Sequence, residues 1–195
     1  MLKEKLKNYN IILASGSPRR QQFFKDLAID FTIQLKPVKE IYPKTLKAEE
    51  ITNYLADLKS KAFTDLSEKD ILVTSDTIVW LENKALGKPK DKADAIKMLQ
   101  SLSGKSHKVI TSICLKSKNY KHIISDSTQV TFKNLTTEEI EYYVTTYKPF
   151  DKAGAYGIQE WIGFIGIEKI EGSYFTVVGL PVHKLYKALI NLEIN

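Results

Sequence analysis

What most constrains this chain of 195 residues is the way its apolar runs change period. Ile11-Ile12-Leu13-Ala14 is a short unbroken apolar run that stops at Ser15-Gly16-Ser17-Pro18. Such a run reads as a buried strand entering a tight loop. Pro18 suits the first turn of a helix, where its missing N–H would lack a partner anyway. Phe23, Phe24 and Leu27 then give that helix an apolar face. Phe31, Ile33 and Leu35 alternate with polar residues and predict a strand with one buried face. Two prolines and no clear period between Lys36 and Lys47 mark a loop. From Ala48 the spacing is helical, with Ile51, Tyr54, Leu55, Leu58 and Ala62 on one face and Lys59 and Lys61 elsewhere. Ile71 to Thr74 reads as a second buried strand that ends at Ser75-Asp76-Thr77, and Ile78 to Leu81 resumes the apolar pattern.

The second half is patterned differently. Glu82 to Pro89 reads as a turn and a loop. Asp91 is a candidate N-cap for a helix carrying Ile96 and Leu99, with Gly104 past its end. His107 to Leu115 and His122 to Phe132 read as longer strands, joined as a hairpin around Lys118-Asn119. Thr136 and Glu139 fit a capping box that opens a helix with Ile140, Tyr143 and Val144, and Pro149 stops it. Asp151 to Gly166 reads as ordered loop with short strand pieces. Pro181 starts a last helix, with Leu185 and Leu189 inward. Strands alternating with helices, then a hairpin, predict an α/β fold with a mixed sheet. The length suits one domain over residues 1–195, with two small halves sharing a core as the second choice.

Hydrophobic residues at 43% and charged residues at 27% exclude a disordered or collagen-like chain. No apolar run approaches the roughly 18 residues of a membrane span. A single cysteine, Cys114, excludes an intramolecular disulfide framework. The first nine residues are basic and lack the apolar core and cleavage site of a signal peptide. Together these predict a cytoplasmic chain. The net charge is +6, but the 29 basic residues are dispersed among 23 acidic ones. That is the pattern of a solvated lysine-rich surface more than of a nucleic-acid or membrane contact.

Four constellations could carry chemistry. Ser15, Gly16, Ser17, Arg19 and Arg20 stand in a strand-to-helix loop, where free N–H groups and two arginines make an anion site or, alternatively, a capped helix with surface arginines. Asp76 closes a buried strand, where a carboxylate can bind a divalent cation, take a proton from water, or merely form an Asx turn. Lys88, between Gly87 and Pro89, could reach a phosphate or be a plain turn lysine. In Asp151-Lys152-Ala153-Gly154-Ala155-Tyr156-Gly157-Ile158-Gln159, small residues allow close approach of a ligand, and Gln159 offers a donor and an acceptor to a base edge. The histidines His107, His122 and His183 lack metal-ligand spacing, Cys114 reads as inert core, and Trp80 and Trp161 as packing.

Taken in order, these segments resemble the Maf family of nucleoside triphosphate pyrophosphatases. The resemblance runs through Ala14-Ser15-Gly16-Ser17-Pro18-Arg19-Arg20, Lys61-Ala62, Ser75-Asp76-Thr77, Leu86-Gly87-Lys88-Pro89, Leu102-Ser103-Gly104-Lys105-Ser106-His107, Asp151 to Gln159, and Val178-Gly179-Leu180-Pro181. It implies cleavage between the α- and β-phosphates, giving a nucleoside monophosphate and pyrophosphate. It implies a divalent cation, Mg²⁺ or Mn²⁺, and an elongated mixed sheet flanked by helices, like the inosine triphosphate pyrophosphatases, in two lobes around a central cleft. A homodimer is a further family expectation, and no stable nucleic-acid or membrane partner is implied. By the same resemblance Asp76 is the proton acceptor, and Glu40 is a second carboxylate that joins Asp76 in holding the metal. Ser15, Arg19, Arg20, Lys61 and Lys88 meet the triphosphate. Arg19, Thr77 and Gln159 match the signature of the subfamily acting on dTTP and UTP, whose shared O4 and N3–H edge suits a glutamine amide. Removal of modified pyrimidine nucleotides, action on 7-methyl-GTP, or a regulatory role in cell division are the neighbouring readings. Glu160-Trp161-Ile162 departs from the pattern, because small residues are usual after that glutamine.

Overall fold

The computed structural model describes residues 1–192. In chain order the elements are α1 (Leu2–Leu6), β1 (Asn10–Leu13), α2 (Pro18–Asp26), β2 (Phe31–Ile33), α3 (Glu49–Lys61), β3 (Asp70–Leu81) and β4 (Lys84–Leu86). Then come α4 (Lys92–Leu102), β5 (Ser106–Lys116), β6 (Lys121–Phe132), α5 (Thr137–Tyr147), a 3-10 turn (Ala153–Ala155), α6 (Trp161–Gly166), β7 (Ile167–Glu171), α7 (Tyr174–Val178) and α8 (Val182–Ile190). The strands hydrogen-bond in the order β2-β1-β3-β5-β6-β7, with β4 alongside β3. Strand β1 runs parallel to β2 and β3, and Ile11 is in register with Phe31 and Ile71. Strands β3 and β4 pair antiparallel, as do β6 and β7. The expected α/β fold with a mixed sheet is therefore present.

Two compact units make up the chain. The first takes Met1–Asp76, Thr111–Asp126 and the segment from Gly179 onward. Leu13, Phe24, Ile71, Val73, Ile113, Leu185 and Leu189 cluster in its core. Ile12, Leu72 and Phe63 form a second cluster. Successive residues of a strand point to opposite faces, so β1 and β3 are covered on both sides here. That is why the run Ile11-Ile12-Leu13 is continuous rather than alternating. The second unit takes Thr77–Ile110 and Ser127–Val178. Its core gathers Val79, Leu99, Leu102, Phe132, Ile140, Tyr143 and Ile162. Asp91 caps α4 by accepting from Asp94 N–H at 2.8 Å. Thr136 and Glu139 form the reciprocal capping box of α5.

Four expectations need correction. Ser75-Asp76-Thr77 does not end a strand: β3 runs without a break through all three. Asp76 is buried mid-strand because Lys59 meets its carboxylate, and the carbonyl of buried Ser75 beside it accepts from Arg20. Ile33 and Leu35 are not buried. Strand β2 has three residues at the sheet edge, and the two side chains are 47% and 62% exposed. Glu82 to Pro89 contains a strand: Glu82 and Asn83 both take positive φ, 46° and 63°, and turn β3 back into β4. Asp151 to Gly166 holds a 3-10 turn and helix α6 in place of short strand pieces. Helices α1 and α7 and strand β7 are additional. No helix among the described residues is long and apolar enough to cross a membrane.

Gly154 lies in the loop before α6 with φ +67°, and a Cβ there would stand 2.7 Å from Val79 Cγ2. Strain of this kind costs roughly 1–3 kcal/mol. Gly154→Ala should lower the midpoint of urea unfolding accordingly, and an unchanged midpoint would show that the loop tolerates a side chain.

Candidate active site

The central feature of the first unit is a buried carboxylate and the cation that meets it. Asp76 is 6% exposed. Lys59 Nζ lies 2.6 Å from Asp76 Oδ1 and 3.1 Å from Glu40 Oε1. Helix α3 is pinned to deliver that ammonium group. Thr74 Oγ1 donates to the Ala56 carbonyl at 2.6 Å, one helical turn before Lys59. Thr52 and Ser60 are also fully buried, so a stripe of small residues with Ala56 lets the helix lie close. Burial pushes the Asp76 carboxyl above its ordinary range, against the pull of Lys59 and Arg20.

The loop after β1 supplies the second cation. Arg20 Nε donates to the Gly179 carbonyl at 2.8 Å, and Nη1 donates to the Ser75 carbonyl at 3.1 Å. Gly179 takes φ 121°, a conformation that favours glycine. This explains the Val178-Gly179-Leu180-Pro181 motif: it presents a carbonyl to Arg20 and then starts α8. Burial lowers the Arg20 guanidinium to about 10, with Asp76 acting in the opposite direction, and it stays charged at neutral pH. Ser15 Oγ accepts from Ser17 N–H at 3.2 Å, which tightens the loop. Ser17, the N-cap of α2, makes no side-chain cap bond. A nine-residue helix therefore begins beside the two arginines with its first N–H groups uncapped by that side chain, an arrangement suited to an anion.

Of the residues singled out in this unit, Ser15, Arg20, Glu40 and Asp76 converge, and Arg19 adjoins Arg20. Lys61 does not join them. It is 63% exposed and pairs with Asp57 at 2.7 Å, one helical turn back. Lys59 is the lysine that reaches the carboxylates, and the sequence reading passed over it. The available signal was helical spacing: Lys59 follows Ala56 by three, next to the small-residue stripe, whereas Lys61 sits four after an aspartate, the spacing of a surface ion pair.

The remaining candidates belong to the second unit. Gly154 N–H donates to the Gly87 carbonyl at 3.0 Å, which joins the Asp151–Gln159 segment to the loop bearing Lys88. Lys88 is exposed and Thr77 half-buried. Gln159 is half-buried, and its Oε1 is a buried acceptor without a hydrogen-bond partner. His107 Nε2 bonds to Tyr156 Oη at 2.8 Å inside the core. Burial lowers its pKa to about 4, so it is neutral at pH 7 and part of the packing. Cys114 is buried with its thiol raised by desolvation, and is inert. Trp161 packs edge-on against Tyr142, with centroids 4.8 Å apart.

The chain belongs to the Maf family: the family's sequence model, described as "Maf-like protein", matches residues 10–192. It is similar to a protein of Christiangramia forsetii named "dTTP/UTP pyrophosphatase", 64% identical over 97% of each chain. A protein of Flavobacterium johnsoniae with the same name is 62% identical over 98% of this chain and 100% of its own. Among solved structures, a HAM1 protein from Coxiella burnetii is 17% identical with a TM-score of 0.51, covering 94% of this chain and 100% of the other. That likeness is one of fold.

A carboxyl-carbon NMR titration should place Asp76 above the ordinary aspartate value of about 3.9. Lys59→Met removes the nearest stabiliser of the charged form and should move Asp76 higher still. An Asp76 that titrates below the ordinary value, or is indifferent to Lys59, would contradict the electrostatic account.

Proposed function

We propose that this chain hydrolyses nucleoside triphosphates between the α- and β-phosphates, with dTTP and UTP preferred, releasing a nucleoside monophosphate and pyrophosphate. One observation carries the reading: a buried Asp76, flanked by Lys59 and Arg20, in a unit that also presents the α2 N-terminus. The names borne by its relatives of 62% and 64% identity support the same conclusion.

Asp76 is the proton acceptor. A water attacks the α-phosphorus, its proton passes to an Asp76 oxygen, and the bond to the bridging α–β oxygen breaks as pyrophosphate departs. A carboxylate with a raised pKa is a better base than an ordinary aspartate, provided it is ionised at the working pH. Lys59 and Arg20 hold it in that state. Arg19, the α2 N–H groups, Ser15 and Lys88 offset the charge of the triphosphate. Arg20 already directs its donors to the Gly179 and Ser75 carbonyls, so its part is to fix Asp76's surroundings. Thr77 and Gln159 face the base, where the unmet Gln159 Oε1 accepts N3–H and its amide N–H meets O4.

A divalent cation fits this donor set in a particular way. Asp76 and Glu40 both point at one positive charge, the Lys59 ammonium. Among the described residues no group of three metal-ligating side chains occurs. Asp76 and Glu40 would hold Mg²⁺ or Mn²⁺, hard cations that take carboxylate oxygens. Bound there, the ion would supply Lewis-acid polarisation of the phosphoryl group.

Pyrophosphate release from dTTP, UTP, CTP, 7-methyl-GTP, ITP and ATP, with Mg²⁺, Mn²⁺ or EDTA, tests the proposal. Turnover of dTTP and UTP should need the cation and fall roughly 10²- to 10⁴-fold in Asp76→Asn, the range expected for loss of a general base. A preference for 7-methyl-GTP, or full activity in Asp76→Asn, would overturn it. Gln159→Ala should raise KM for UTP selectively, and an unchanged nucleotide preference would remove the role given to Gln159. Calorimetry of the nucleotide-free protein should detect only weak Mn²⁺ binding, tightened by a non-hydrolysable UTP analogue.

A further inference from the structure

A buried polar chain surrounds the segment that carries Gln159, and no step above uses it. Tyr143, on α5, is fully buried. Its hydroxyl accepts from Gly157 N–H at 3.0 Å and donates to Glu160 Oε2. The other carboxylate oxygen, Oε1, lies 3.1 Å from Lys152 Nζ, whose side chain is only 9% exposed. Lys152 also pairs with Asp151 at 2.7 Å. One carboxylate thus ties the start of the segment, at Lys152, to its far end at Gly157 through Tyr143.

Gly157 marks how closely the parts meet. A Cβ built there would stand 2.9 Å from Gln159 Nε2 and 2.9 Å from Glu160 Cδ. The Gln159 amide and the Glu160 carboxyl group therefore share the space that a Gly157 side chain would fill, beside the residue whose N–H Tyr143 holds. Burial and the bond to Glu160 push the Tyr143 hydroxyl far above the ordinary tyrosine range, so it remains a donor throughout the working pH range. Removing Glu160 would leave the Tyr143 proton without its acceptor and Lys152 with Asp151 alone. The buried partners would then have to shift, because unpaired buried polar groups are expensive.

We propose that Glu160, bridged to Tyr143 and Lys152, is a positioning residue that fixes the Gln159 carboxamide and so sets the preference for a uracil or thymine edge. The inference rests on the assignment of Gln159 to the base.

The experiment is a double-mutant cycle on Glu160 and Gln159, read as kcat and KM for UTP and CTP. Glu160→Ala should raise KM for UTP about tenfold with kcat within twofold, and should erode discrimination against CTP by a similar factor. In a Gln159→Ala background the same substitution should have almost no further effect on KM. Glu160→Gln keeps an amide oxygen for the Tyr143 proton and should recover most of the selectivity. Where Glu160→Ala does not fold, Tyr143→Phe carries the test, with the same rise in KM expected. Additive effects in the cycle overturn the inference, as does an equal loss on every nucleotide. An active wild type whose Glu160→Ala variant is unchanged overturns this inference alone. A wild type inactive on dTTP and UTP overturns the function and this inference with it.

Discussion

A carboxylate buried in the middle of a β-strand sets the terms for the first unit. Taking a charge out of water costs several kcal/mol even after relaxation, so Asp76 persists as a useful ion only if cations meet it. Lys59 does so directly, and Arg20 does so from the helix that follows β1. Each cation is in turn fixed by backbone. Thr74 anchors α3 through the Ala56 carbonyl, and Arg20 is locked by the Gly179 and Ser75 carbonyls. The placement of α2, α3, the Gly179 turn and β3 is therefore coupled to one charge. The balance leaves Asp76 ionisable but raised, as the proposed role of proton acceptor requires.

In the second unit the constraint is geometric. Gly154, at positive φ against Val79, and its bond to the Gly87 carbonyl join the loops bearing Gln159 and Lys88. Tyr143, Glu160 and Lys152 then fasten the Gln159 segment from beneath. A carboxamide can read a base edge only if its donor and acceptor are held in one orientation, because a freely turning amide presents either group. Rigid support of the Gln159 segment is what the proposed pyrimidine preference asks of this unit.

Much of this was legible in the sequence because it is local. The Ile11–Ala14 run, Pro18 at the first turn of α2, the Thr136–Glu139 capping box and Pro181 before α8 each settle their own few residues. The ordered motifs also led to Ser15, Arg20 and Asp76, which converge. What escaped is non-local. Ser75-Asp76-Thr77 looks like a turn because nothing nearby says that Lys59 and Arg20 will neutralise it. Lys59 and Lys61 look equivalent until the sheet selects the helix face bearing Thr52, Ala56 and Ser60. Ile33 and Leu35 have the alternation of a half-buried strand, yet β2 is the sheet edge and leaves them exposed. The Glu160 link could not be read at all, since its partners lie 8 and 17 residues back along the chain.

The most direct test of the central claim is where solvent oxygen goes. UTP turned over in ¹⁸O-water should give UMP carrying the label and pyrophosphate without it, because in the proposed mechanism water attacks the α-phosphorus. Label in the pyrophosphate would place the attack on the β-phosphorus and contradict the mechanism derived from this site.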